Sequence, residues 1–474
     1  MHVLFDARLL HRPLSGLERV QRNVVRELGR RPEITRLEVA VMAGTTLPHD
    51  FPKQADVLEV HGTEDLLGAL LRADPSERPD LYHLSWFPDR SPRDLWLLVA
   101  AKAAVVEVHD AILNRHPEYY PNRTAWAWYD GFVRQLVASA DRLLVHSESV
   151  IEEVVDDLGG ARERCDVAPL AVDPNLLNSV SADRVEAFQR RHGLDGRYFV
   201  ALGKDYPHKG HATLWDALAR LPREIHVVVA GDRVWHDGRD TEAHLRRLRL
   251  TERVRWLPGL TDDEVKALLQ GSLGLVYPSF EEGFGLPPLE AMLRRVPVVA
   301  ARAMSIPEVC GDAAWLFEPG DASALEARMR QVLAGGPEVQ ALLARGVARA
   351  AEFSWATCAE RVVECYRNAL RAGAQRRDRC PDPMAVLDTI AHCPYRDIQE
   401  LAAWRERCLS TENVLADVTA SREDVLRQLH ALQTAAGAPL TEVPPVPENG
   451  AARRPRWSIA RRIRKIRDGL RRGR

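Results

Sequence analysis

The amino-acid sequence predicts an α/β protein of two doubly wound parallel-sheet domains that face one another across a cleft. Short runs rich in Val, Leu and Ile alternate with longer amphipathic stretches, the pattern of parallel strands joined by crossover helices. The pattern occurs twice, with a polar stretch between the two sets, and 474 residues exceed one ordinary domain. A composition of 46% hydrophobic and 28% charged residues excludes disordered, collagenous and disulfide-framework classes.

Taken in order, the first set of predicted strands is His2 to Phe5, Leu37 to Met42, Leu81 to Leu84, Ala104 to Val108 and Leu143 to His146. The second set is Tyr198 to Leu202, Ile225 to Ala230, Val254 to Leu257, Leu273 to Tyr277 and Val296 to Ala300. The first domain is placed over 1–175 and the second over 196–353, with the helix-compatible stretch from about Asn175 to Gly196 as linker. In a doubly wound domain ligands bind at the carboxyl ends of the strands, so the cleft is the expected site. Strand signals stop beyond about Leu370. Residues 376–436 read as polar helix, and 437–456 as a flexible linker because the prolines in Val443 to Pro447 forbid a continuous helix.

The segment Tyr277 to Ala300, YPSFEEGFGLPPLEAMLRRVPVVA, is the most informative. It reads strand, glycine loop, helix, strand. Gly283 and Gly285 allow backbone to approach a ligand closely, and Pro287 and Pro288 suit the first helical turn, where a missing N–H costs nothing. The helix N-terminus attracts anionic oxygen. Glu282 before the loop and Glu290, read as lying in the first helical turn, are separated by seven residues and could flank a bound polyol. Spacing alone fits a second reading, in which Glu290 caps its own helix and Glu282 is a solvated loop acid.

The E-x7-E spacing with an internal GFGLP, after a strand ending YPS, resembles the hallmark of family-4 glycosyltransferases, retaining enzymes of the GT-B fold. Other segments resemble the same family in the same order: Asp6-Ala7-Arg8 with Ser15 to Val20, the VHD of Val108 to Asp110, LGKDYPHKGH of Leu202 to His211, SIPEVCGDAA of Ser305 to Ala314, and FSWATCAERVVECY of Phe353 to Tyr366. The likeness covers residues 1 to about 372. It implies two Rossmann-like domains, a nucleotide-sugar donor domain after an acceptor-side domain, and a helix over 354–372 that crosses back onto the first domain.

The resemblance also implies roles. Glu282, His109 and Lys209 are expected at the reacting sugar and diphosphate. Gly16, Lys204, Lys209, Gly283, Phe284, Gly285, Leu286 and Glu290 are expected to bind the donor, with Glu290 on the ribose diol. An ammonium at Lys209 can pair with a diphosphate as a point charge, whereas Lys204 stands where relatives often carry arginine and lacks its bidentate geometry. The implied reaction transfers a sugar from a nucleotide diphosphate sugar to a glycan or glycolipid hydroxyl with retention, in cell-surface polysaccharide or glycolipid synthesis. Mannose is a familiar sugar among relatives with such loops, although these residues recognise diphosphates and hydroxyls generally. A non-catalytic glycan- or nucleotide-sugar-binding scaffold on the same fold, or a nucleotide-sugar hydrolase or epimerase, remains open. No Asp-x-Asp follows a strand, so no metal is expected, and no cofactor beyond the co-substrate.

The net charge of −2 is the sum of two opposed parts. Arg453 to Arg474 hold 11 Lys+Arg and one acid, Asp468, so the remainder carries 54 basic and 66 acidic residues, a body at −12 with a tail at +10. In 457–474, Ile459, Ile463, Ile466 and Leu470 fall at helical spacing among arginines, which suits an anionic membrane surface. Nucleic acid is not expected, because no second basic patch or binding module accompanies the tail. No spanning run or signal peptide is recognised in the sequence, so the expected place is the cytoplasm, peripheral to the inner membrane face. Seven cysteines fit reduced thiols, and Cys380, His392, Cys393 and Cys408 lack the CxxC spacing of a structural zinc site.

Overall fold

Apolar strands too hydrophobic to face water on either side can be buried only between two layers of helix, and the chain does this twice. In the computed structural model the described residues are 1–11, 16–72, 74, 77–85, 94–194, 197–233 and 239–374. The extension predicted over 376–436, the linker 437–456, the basic tail 457–474 and the Cys380, His392, Cys393 and Cys408 group lie outside them.

The first sheet is formed by β1 (His2–Asp6), β2 (Arg36–Met42), β3 (Asp56–Val60), β4 (Leu81–Ser85), β5 (Ala103–Val108), β6 (Arg142–Val145) and β7 (Cys165–Val167). The second is formed by β8 (Tyr198–Leu202), β9 (His226–Ala230), β10 (Val254–Leu257), β11 (Gly274–Tyr277), β12 (Val298–Ala301) and β13 (Trp315–Phe317). The spatial orders are β3-β2-β1-β4-β5-β6-β7 and β10-β9-β8-β11-β12-β13. Every pairing is parallel, as the register Val3↔Leu37 and Val3↔Leu81 shows for β1 between its neighbours. In each sheet the strand order reverses beside the first strand of the set, which opens a crevice at the carboxyl ends.

The central strands carry the core. Val3, Leu4, Phe5, Val105, Val106, Val227, Val228 and Val229 are fully buried, and each such side chain contributes about 2 kcal/mol of transfer free energy. The helix Trp355–Ala374 buries Trp355, Cys358, Val362, Val363, Cys365 and Tyr366. It packs on β4, β5, β6 and β7 and on the helix Gly16–Leu28, all in the first domain. The Trp355 indole N–H donates to the Val172 carbonyl at 3.1 Å, and the Tyr366 hydroxyl meets Nδ1 of His83 at 2.7 Å. Cys165, Cys310, Cys358 and Cys365 are free thiols. No helix among the described residues is long and apolar enough to cross a membrane.

The polar stretch between the domains contains the helix Ala182–His192. The helix after the glycine loop is Leu286–Leu293, with Pro287 and Pro288 in its first turn. Glu290 is thus its fifth residue, just past the first turn in which the sequence reading placed it.

Candidate active site

A cavity of about 250 Å³ lies between the carboxyl ends of the two sheets. The first domain supplies Gly16, Leu17 and Val20 from the helix Gly16–Leu28, His109 and Asp110 after β5, His146 after β6, and Leu170. The second supplies Tyr277 at the end of β11 and the run Glu282 to Pro287. Gly16, His109, Glu282, Gly283, Phe284, Gly285 and Leu286 are therefore brought together at one wall or another.

The glycine loop is held by both domains. The Ser305 hydroxyl donates to the carbonyls of Glu282 and Phe284 at 2.8 and 2.9 Å. From the first domain the Ser147 hydroxyl donates to the Gly283 carbonyl at 2.7 Å. Gly285 takes φ +96° at the N-cap of Leu286–Leu293, a conformation that favours glycine, and the helix starts at the cavity wall, with Leu286 and Pro287 lining it. About half a positive charge stands at such an end.

Lys209 closes the short 3-10 turn Pro207–Lys209 after β8, and its ammonium donates to Oε1 of Glu282 at 2.7 Å. The loop that follows β8 and the loop that follows β11 thus meet, as adjacent strands of one parallel sheet allow. Neighbouring Glu281 points elsewhere, meeting Nε2 of His116 at 3.0 Å and the Arg115 guanidinium at 3.5 Å across the domain boundary. Lys204 is half-buried at the end of β8 and does not line the cavity.

Glu290 is half-buried, also off the cavity lining. Burial raises its carboxyl above the ordinary range, while Arg19 and Arg294 oppose the shift. Arg19, from the first domain, also donates to Oδ2 of Asp262 at 3.0 Å in the second.

His109 is almost wholly buried. Burial pushes its imidazole down to about 3, against the opposing pull of the Glu107 carboxylate, so it is neutral at ordinary pH. His208, inside the PHK turn, is pushed to about 2 by burial and by Lys209. Its Nδ1 lies 2.8 Å from the Tyr119 hydroxyl, which in turn accepts the His208 backbone N–H at 3.2 Å.

Tyr119, Arg19, Ser147, His146 and Glu107 were not singled out in the sequence. Arg19 stood inside the SGLERV segment and His146 at the end of a predicted strand, but nothing in the spacing assigned either a partner.

The family description "Glycosyltransferase Family 4" matches residues 14–176, and "Glycosyl transferases group 1" matches residues 184–347. The chain is 27% identical to the O-antigen chain mannosyltransferase B of Escherichia coli over 385 residues, 77% of this chain and 100% of that protein. It is 33% identical over 251 residues to the MMP alpha-(1->4)-mannosyltransferase of Mycolicibacterium hassiacum, 51% of this chain and 58% of that protein. Anabaena HepE, solved in complex with UDP and glucose, shares the fold with a TM-score of 0.61 at 21% identity, over 77% of this chain and 98% of that one. On these matches, which take in both sheets and the cleft between them, the chain belongs to the family-4 glycosyltransferases of the GT-B fold, a group with mannosyltransferase members.

Proposed function

We propose that the protein transfers a hexose, mannose in the first instance, from a nucleotide diphosphate sugar to a glycan or lipid-linked hydroxyl with retention of configuration. The observation that carries this reading is the Lys209–Glu282 pair, 2.7 Å apart, whose Glu282 lines the same cavity as His109 and the first residues of Leu286–Leu293. A diphosphate oxygen entering the site takes over the ammonium of Lys209, and Glu282 is released to accept from sugar hydroxyls. Lys204, the helix N-terminus and the turn at Gly16 add positive potential, so the leaving group is stabilised by fixed charges and needs no divalent ion there. Glu290 holds the ribose diol, and the backbone of Gly283, Phe284, Gly285 and Leu286 touches sugar and phosphate.

In the reacting complex the C1–O bond to the diphosphate breaks as the acceptor oxygen bonds C1 on the same face. The acceptor proton passes to a leaving phosphate oxygen, which leaves a nucleoside diphosphate and a lengthened glycan. His109, neutral through burial, lies along the sugar. The likeness to a mannosyltransferase named for O-antigen chains supports a role in surface polysaccharide synthesis. The 457–474 segment would carry the enzyme to the anionic inner face of the membrane, where such acceptors are anchored.

Thermal-shift screening against a panel of nucleotide sugars tests this, because a ligand bound only by the folded state raises the melting temperature. The matching donor is then incubated with lipid-linked acceptors and the anomeric configuration of the product is read by NMR. Donor binding without transfer would favour a scaffold, and release of free sugar a hydrolase. Donor affinity that depended on added magnesium or manganese would refute the fixed-charge account of the diphosphate.

A further inference from the structure

On the first-domain side of the cavity, two neighbouring strands end in a cluster of ionisable side chains of which the transfer reaction uses only His109. Glu107 lies on β5, with His109 just after it, and His146 follows β6. Glu107 is 0%, His146 1% and His109 9% exposed.

Nε2 of His146 stands 2.8 Å from Oε1 of Glu107, and Nε2 of His109 stands 3.6 Å from the same oxygen. The three ligand atoms all fall within 4.8 Å of one another. Close as they are, His146 Nε2 and Glu107 Oε1 lack the alignment of a hydrogen bond with each other, and neither has another partner. Each such orphaned buried group costs about 1–3 kcal/mol. Two buried polar atoms side by side but not aligned as donor and acceptor are what two ligands of one ion present, since both aim at a third point.

The outer contacts agree. Nδ1 of His146 lies 2.9 Å from the Ala168 carbonyl, an acceptor only, so the ring proton sits on Nδ1 and the lone pair of the neutral ring on Nε2. The other oxygen of Glu107, Oε2, accepts from the Ser85 hydroxyl. Metal-binding histidines and carboxylates are oriented through their far atoms in this manner. A tetrahedral zinc with bonds of about 2.0–2.1 Å separates neighbouring donors by roughly 3.3 Å, and the separations of 2.8 and 3.6 Å lie on either side of that value.

We propose that Glu107, His109 and His146 bind one zinc-class divalent cation whose fourth position opens to the cleft. Two imidazoles and one carboxylate are the donor set of zinc sites that keep a position free, whereas calcium and magnesium take shells of oxygen. His109 and His146 both line the cavity, so the free position faces the space where substrate oxygens collect. A water or sugar hydroxyl is the ligand of matching chemistry. The ion holds the His109 ring at the cavity wall and brings the ends of β5 and β6 to one point.

The test is metal analysis of the full chain, produced in zinc-supplemented medium without a metal-affinity step, and it does not depend on whether sugar is transferred. The wild type should retain zinc after dialysis, and Glu107→Gln, near-isosteric and checked for folding by circular dichroism, should retain about one zinc per chain less. Cobalt loaded into the wild type should give the visible bands of a tetrahedral site without thiolate charge transfer, which separates this site from Cys380, Cys393 and Cys408 and requires no variant. A wild type without zinc, as a His146 imidazolium paired with Glu107 would leave it, overturns the proposal. So does equal zinc in the two proteins, or a cobalt spectrum made up of thiolate bands alone.

Discussion

Gly283 in the donor domain abuts the His109 carbonyl of the opposite domain so closely that a Cβ built on Gly283 would stand 1.8 Å from that oxygen. Its φ lies outside the left-handed region, so alanine there is forbidden by contact alone and not by backbone strain. Gly283→Ala should therefore fold and yet be unable to close the cleft. Turnover is expected to fall about 100-fold, the scale of a misplacement near 1 Å, while circular dichroism stays unchanged and small-angle scattering shows a larger radius of gyration. A wild-type rate in this variant would mean that the observed domain contact plays no part in catalysis.

Lys209 and Glu282 are both largely buried, with side chains 18% and 10% exposed. Lys209→Met should weaken nucleotide-sugar binding by about 10- to 100-fold, the worth of a charge-assisted hydrogen bond. The same change strands the Glu282 carboxylate, so Lys209→Met with Glu282→Gln should be more stable than Lys209→Met alone. Denaturant unfolding of the wild type, both single variants and the double variant measures the coupling.

Glu290 loses its charge at a higher pH than an ordinary glutamate, burial being the main cause. If the ionised carboxylate accepts from the ribose diol, nucleotide affinity should fall as pH drops through that raised value. Glu290→Gln should flatten the profile and cost about tenfold at neutral pH. Titration calorimetry with a nucleoside diphosphate and its 2′-deoxy analogue checks this, since the deoxy ligand should be nearly insensitive to the substitution.

The imidazole of His116 is raised above its usual value, chiefly by its hydrogen bond to Glu281 and then by Glu118. A raised folded-state value means that the protonated form is favoured by folding. The contribution is fully present below the unfolded value of about 6.5 and is lost as pH rises through the higher folded one. The stability gap between wild type and His116→Gln should be about 0.5–1 kcal/mol in mild acid and vanish in mild base. Chemical unfolding at the two pH values reads it directly.

Deleting residues 453–474 removes 11 basic side chains and one acid. With each basic group worth about 1 kcal/mol near an anionic surface, the shortened chain should no longer sediment with phosphatidylserine vesicles, while donor binding is retained. Equal pelleting of the two forms would locate any membrane attachment elsewhere.

The central strands were legible because each is an uninterrupted apolar run, as a strand buried on both faces must be. The edge strands β3 and β7 and the short β13 were not. Asp56–Val60 is mostly exposed along its length, and Cys165–Val167 and Trp315–Phe317 are three residues each, too short and too mixed to carry a period. In the site, the E-x7-E loop could be read because its chemistry is local in sequence. Contacts such as Tyr119 with His208, 89 residues away, or Arg19 with Asp262, 243 away, exist only once two domains face each other. Glu107 and His146 look like ordinary strand residues until two adjacent parallel strands, β5 and β6, bring their ends together.

The helix Trp355–Ala374 lays the last described part of the chain onto the first sheet, covering β5 and β6 and meeting His83. The first domain is therefore discontinuous in sequence. As the chain leaves the ribosome, its sheet must wait, one face only partly covered, until the whole donor domain has been made. Any exchange of halves between relatives must accordingly move this helix with the amino-terminal half, or each chimera will pair one parent's sheet with the other's cover.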